Sequence, residues 1–124
     1  MAKKIKRIFV RKHPLQNSKD ATFDNIIFLG TKYGGWSFVD EDNLKNSTII
    51  CAGLGEDASF EIEFALKYNS KIIIVDPTPR AIKHYSEIIN SLGNTSITEY
   101  VEGGKQPINS YNLKNLKKEN LILL

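Results

Sequence analysis

The sequence predicts an α/β fold, a partial Rossmann-like doubly wound sheet preceded by a β-hairpin, and three observations predict it. Thr48–Ala52 and Lys71–Val75 are short apolar runs rich in β-branched residues, the kind that form buried parallel strands. Between them lie a glycine turn and a helical pattern, so the two strands belong to one βαβ unit. Upstream, the apolar runs Asn25–Leu29 and Trp36–Val39 flank GTKYGG, a loop suited to an antiparallel hairpin.

The elements follow in chain order. Residues 1–20 read as a basic flexible arm around Ile8-Phe9-Val10, and Asp40–Asn46 (DEDNLKN) as a polar connector after the hairpin. Thr48–Ala52 has the composition of a strand covered on both faces. Asp57 or Ser59 can cap the next helix by accepting a hydrogen bond from an orphan N–H. That helix runs to about Tyr68 with Phe60, Ile62, Phe64 and Leu66 as its apolar band, and Asn69-Ser70 ends it. After the Lys71–Val75 strand, Thr78 is the expected N-cap and Pro79 the first helical residue, where a missing N–H costs nothing. Ile82, Tyr85, Ile89 and Leu92 then mark one helical face, and Gly93 stops the helix. Ile97–Val101 fits either a helical turn or a strand. Gly103–Asn112 reads as a loop, Leu113–Lys118 as a short helix and Leu121–Leu124 as the opening of a third buried strand.

Composition narrows the class. A chain of 124 residues with 41% hydrophobic and 25% charged residues is one globular domain, large enough to bury a core. Its single cysteine, Cys51, excludes an internal disulfide and fits a reducing, cytoplasmic setting. No apolar run approaches the ~20 residues that span a bilayer, and no secretory signal is visible, so no membrane partner is expected. Six of the 17 basic residues fall within the first thirteen positions, which leaves the remaining body net acidic. No aromatic platform is interleaved with those charges, so nucleic acid is not an expected partner. No metal site is expected.

The candidate site lies between the two central strands. Gly53-Leu54-Gly55-Glu56-Asp57-Ala58 satisfies G-x-G-x-x-A after a strand and before a helix, and Asp76 follows Gly53 by 23 residues. Such an arrangement lets a ligand approach bare backbone while a carboxylate at the next strand's end holds a ribose. Because Thr78 is positioned to cap the following helix, the Asp76 carboxylate is expected to be free for a ligand. An alternative reading keeps the glycines as a tight βα turn and Asp57 as a helix cap, with no ligand.

Charge selects among adenosine cofactors. A dinucleotide rests its pyrophosphate on the helix N-terminus, where Glu56 and Asp57 stand here. Like charges at 4 Å repel by ~1 kcal/mol in water and ~4 kcal/mol at a near-surface effective dielectric. S-adenosylmethionine has no phosphate and carries a sulfonium and an ammonium, which acidic side chains attract. The electrostatics favour it over NAD.

Leu29–Val39 (LGTKYGGWSFV), Gly53–Glu61 (GLGEDASFE) and Val75–Ile82 (VDPTPRAI), in this order and at these separations, resemble FkbM-type S-adenosylmethionine-dependent methyltransferases. The likeness covers roughly Asn25–Leu92, and residues 21–124 correspond to the N-terminal part of such a domain. It implies a seven-stranded Rossmann-like sheet with helices on both faces. It further implies that Gly53 and Gly55 form the cofactor turn, that Asp76 binds the ribose hydroxyls, and that Glu56 and Asp57 line the methionine side. Tyr33, Gly34, Gly35 and Trp36 would border the pocket. The implied acceptor is a hydroxyl on a small metabolite, glycan or natural product.

Two departures stand out. Many such enzymes carry an acid where this chain has Cys51, and family members continue past the position of Leu124 with the strands that build the substrate face. The expectation is therefore a methyltransferase that stops before its substrate-binding half; the alternatives are a non-catalytic remnant and a dinucleotide-binding module. No catalytic base is identifiable: His13 lies in the basic arm, and His84 reads as an exposed helical residue without a partner.

Overall fold

The computed structural model describes residues 24–124; the basic arm expected over residues 1–20, with His13, lies outside the described residues. Strand β1 (Ile26–Leu29) pairs antiparallel with β2 (Trp36–Val39), Leu29 opposite Trp36. The loop between them closes with a hydrogen bond from the Gly35 N–H to the Thr31 carbonyl, 2.7 Å. A Cβ at Gly35 would lie 2.5 Å from the carbonyl oxygens of Leu29 and Thr31, so only glycine fits this bend.

Strands β3 (Thr48–Ala52), β4 (Lys71–Val75) and β5 (Leu121–Leu123) form a parallel sheet in the order β3-β4-β5. Helix α1 (Ser59–Tyr68) joins β3 to β4, and α2 (Pro79–Asn90) follows β4. The chain is thus a mixed α/β protein with an antiparallel hairpin and a three-stranded parallel sheet.

Ile72, Ile74 and Leu121 stand on one sheet face and are almost fully buried. Ile62, Phe64 and Ala65 of α1, Ala81 and Ile88 of α2, and Tyr111 and Leu113 of the connecting segment join them in one core. The hairpin packs on α1 and extends this core. Phe38 places its ring 6.0 Å from Phe60, 5.5 Å from Phe64 and 6.1 Å from Tyr68, all on α1.

Four expectations need correction. The strands are not covered on both faces: the alternate residues Ile50 and Val75 are 73% and 44% exposed, so the described sheet is not doubly wound. Successive strands step across the sheet in one direction, and crossovers of one hand then lay both helices on the same side. The buried stripe of α2 is Ala81, His84 and Ile88 rather than one that begins at Ile82, which is exposed. Leu113–Lys118 does not form a helix; a single 3₁₀ turn at Lys118–Asn120 leads into β5. Buried Asn120 fixes that turn, accepting from the Lys117 N–H at 2.9 Å and donating to the Ser70 carbonyl at 2.9 Å. Ile97–Val101 is irregular, with the Ile97 N–H bonded to the Asn109 carbonyl.

The asymmetry of the sheet predicts an asymmetric mutational response. Ile74→Ala should cost about 2–5 kcal/mol of unfolding free energy in urea titrations, as for a truncation in a packed core. Ile50→Ser, on the open face, should change it by less than about 0.5 kcal/mol.

Candidate functional site

The glycine turn sits at the carboxyl ends of β3 and β4. Gly53 and Gly55 both have positive φ, 98° and 58°, a conformation that glycine adopts without penalty. The turn is anchored to β4 by a hydrogen bond from the Gly53 N–H to the Val75 carbonyl, 3.0 Å. A Cβ at Gly55 would meet nothing within 4 Å, so the outer surface of the turn is open.

Asp76 does reach this turn, but its carboxylate is not free. Oδ2 accepts the N–H groups of Leu54 (2.8 Å) and Gly55 (2.9 Å). Oδ1 accepts the N–H (3.0 Å) and hydroxyl (2.7 Å) of Thr78. Those four bonds match the roughly four lone-pair sites of a carboxylate. Thr78 therefore donates to Asp76 instead of capping α2 with its own side chain. Burial pushes the Asp76 carboxyl up, but the bonds from Gly55, Thr78 and Leu54 outweigh it and hold the group below its ordinary value.

The two acids after the turn part company. Asp57 is buried: its Oδ2 accepts the Thr31 hydroxyl at 2.6 Å and its Oδ1 the Ser59 N–H at 3.1 Å. It supports α1 from one residue outside the Ala58 N-cap and ties the hairpin loop to that helix. Ser59, the other expected cap, instead accepts the Thr31 N–H at 2.8 Å. Glu56 keeps its carboxylate at the surface, paired with Lys105 at 3.4 Å.

The hairpin loop lies against Asp57 and Gly104. A Cβ on Gly34 would come within 2.8 Å of the Asp57 carboxyl carbon, and one on Gly104 within 2.7 Å of the Tyr33 ring. Trp36 is half-buried within β2.

Other α1 donors are also in use. The Ala58 N–H donates to the Tyr111 hydroxyl at 2.9 Å, and that hydroxyl lies 2.7 Å from His84 Nε2. His84 is accordingly buried and partnered, contrary to its expected exposure. Burial chiefly lowers its basicity, although Glu56, Glu87 and Asp57 pull the other way.

Glu61 escaped the sequence reading altogether. It is buried, Oε1 accepts the Cys51 thiol at 2.8 Å, and Oε2 is buried without a hydrogen-bond partner. Desolvation raises its carboxyl to about 7, against the thiol and its own N–H and with the help of the Asp57 charge. The same burial and the Glu61 charge push the Cys51 thiol up, which keeps it protonated.

No family model, curated protein or solved structure matches the chain.

Two surface clefts lie elsewhere. One of about 750 Å³ is bounded by Ser91–Thr95 and Pro107–Leu113, and one of about 290 Å³ by Asn46–Thr48 and Asn69–Lys71; neither includes Gly53–Asp57 or Asp76. Among the described residues no cluster of His, Cys, Asp or Glu has the grouping of a metal site, and no helix is long and apolar enough to cross a membrane.

Glu61 gives a pH signature. A carboxyl raised from 4.5 to about 7 binds its proton more tightly when folded, so its contribution is fully present below pH 4.5 and is lost as pH rises through about 7. Relative to the wild type, Glu61→Gln should therefore gain unfolding free energy across that window, measured by urea titration at successive pH values. A constant difference would remove Glu61 as the titrating group. Asp76→Ala should cost about 1.5–3 kcal/mol at neutral pH, the range for bonds to a charged acceptor.

Proposed function

We propose that the chain is an S-adenosylmethionine-binding unit of the methyltransferase type, built on a partial Rossmann-like arrangement. One observation carries the reading: an open glycine turn at the end of β3 is fastened by its own N–H groups to the carboxylate that ends β4. The adenosyl group would lie across Gly53–Gly55, and Asp76 would hold the ribose. Because that carboxylate is saturated, the ribose hydroxyl takes the place of the Thr78 hydroxyl, a rotor that can turn away while the backbone bonds stay.

A pyrophosphate fits less well. The N–H groups of Leu54 and Gly55 form a small anion nest already filled by Asp76, and those of Ala58 and Ser59 go to Tyr111 and Asp57. An NAD-type ligand would have to displace an internal carboxylate and then face Glu56. A ligand with cationic sulfonium and ammonium groups meets no such obstacle. Of the two acids assigned to its methionine half, only Glu56 is presented to it; Asp57 is committed to Thr31 and Ser59.

When bound, the cofactor would supply an activated methyl group for displacement by an acceptor hydroxyl, on a small metabolite, glycan or natural product. Among the described residues no side chain is placed as a general base, since His84 is occupied by Tyr111.

A second reading, a non-catalytic chain whose glycine turn is purely structural, draws on two observations. Asp76 has no spare acceptor site, and neither cleft reaches the turn. Calorimetry with S-adenosylmethionine, S-adenosylhomocysteine and NAD separates the two. Heat from the first two and none from NAD is the expected result. Heat from none of the three would favour the structural turn.

A further inference from the structure

The segment Val101–Gln106 is held against the glycine turn by contacts that do not involve the side chain it presents there. Gln106 is buried and closes the segment on itself, accepting the Val101 N–H at 2.9 Å and donating to the Val101 carbonyl at 2.7 Å. Its own N–H donates to the Glu56 carbonyl at 2.9 Å, and Lys105 forms a parallel bridge with Glu56. Gly104 lies so close to Tyr33 that any larger residue would strike the ring.

This backbone clamp delivers Lys105 to the lip of the turn. Nζ stands 3.4 Å from Glu56 Oε2, with the lysine side chain 79% exposed and the glutamate 25%. With the lysine in solvent and the glutamate half-buried, the pair contributes about 1 kcal/mol or less, little beside the backbone clamp. What it does create is a cation and an anion side by side, next to bare backbone at Gly55. An α-amino acid carries the complementary pair, an ammonium and a carboxylate on one carbon.

We propose that Glu56 and Lys105 form a paired-charge receptor for the α-amino-acid end of S-adenosylmethionine, Glu56 taking the ammonium and Lys105 the carboxylate. The inference rests on the adenosyl reading above and adds a specificity residue to it. Opening the Lys105–Glu56 contact exchanges one ion pair for two, and the flexible lysine stem allows it without moving the clamped backbone.

Calorimetry with S-adenosylmethionine and decarboxylated S-adenosylmethionine tests it on the full chain. The wild type should bind the carboxylate-bearing form more tightly. Lys105→Ala should weaken that form by roughly 5–10-fold, the worth of one charge-assisted bond, and leave the decarboxylated form unchanged. Lys105→Arg should retain the preference, and urea midpoints of both variants should match the wild type. Wild-type binding that Lys105→Ala leaves intact, or weakens equally for both ligands, overturns the receptor while the adenosyl reading stands. Wild-type binding of neither ligand overturns both.

Discussion

The fold around the candidate site depends on one carboxylate. Asp76 ends β4, yet its bonds reach back to Leu54 and Gly55 after β3 and forward to Thr78 before α2. One side chain thereby fixes the exits of two neighbouring strands. The glycine turn has two positive-φ residues and buries Leu54 in the core, and this anchor and the Gly53 bond to Val75 hold its shape. The carboxylate stays ionised because four donors converge on it, despite its burial.

The start of α1 is governed by a second set of contacts, drawn from distant parts of the chain. Asp57, Tyr111 and Thr31 approach Ala58 and Ser59 from the turn, the late connecting segment and the hairpin loop. Their convergence joins the hairpin to the start of α1 and uses the N–H donors there. An arrangement that satisfies its helix N-terminus internally is poorly suited to phosphate and leaves Glu56 as the outward-facing acid. The charge pattern of the sequence and the hydrogen bonding of the structure both weigh against a phosphate at this helix start.

Legibility in the sequence followed the strength of local signals. KIIIV and the run before Gly53 gave both strands at their observed bounds, and Thr78-Pro79 gave the start of α2. The hairpin was readable because two apolar runs flank a glycine loop. Whether the second sheet face is covered was not readable, since β-branched composition is the same for a strand with one partner layer or two. Nor was the work of Asp76: spacing places an acid at the strand's end but says nothing about which donors reach it. Glu61, Gln106 and Tyr111 act through partners 10 to 53 residues away or in irregular segments, where no periodicity marks them. His84 looked exposed because the apolar stripe was counted without the histidine; burial against Tyr111 turns the helix face toward it.

The central claim is that an adenosyl ligand lies on the turn Asp76 holds. Amide chemical shifts recorded during a titration with S-adenosylhomocysteine address it most directly, because each contact has its own resonance. The account predicts changes concentrated at Gly53–Glu56, at Asp76 and Thr78, and at Lys105. Changes centred instead on Ser91–Thr95 and Pro107–Leu113, around the larger cleft, or no changes at all, would contradict it.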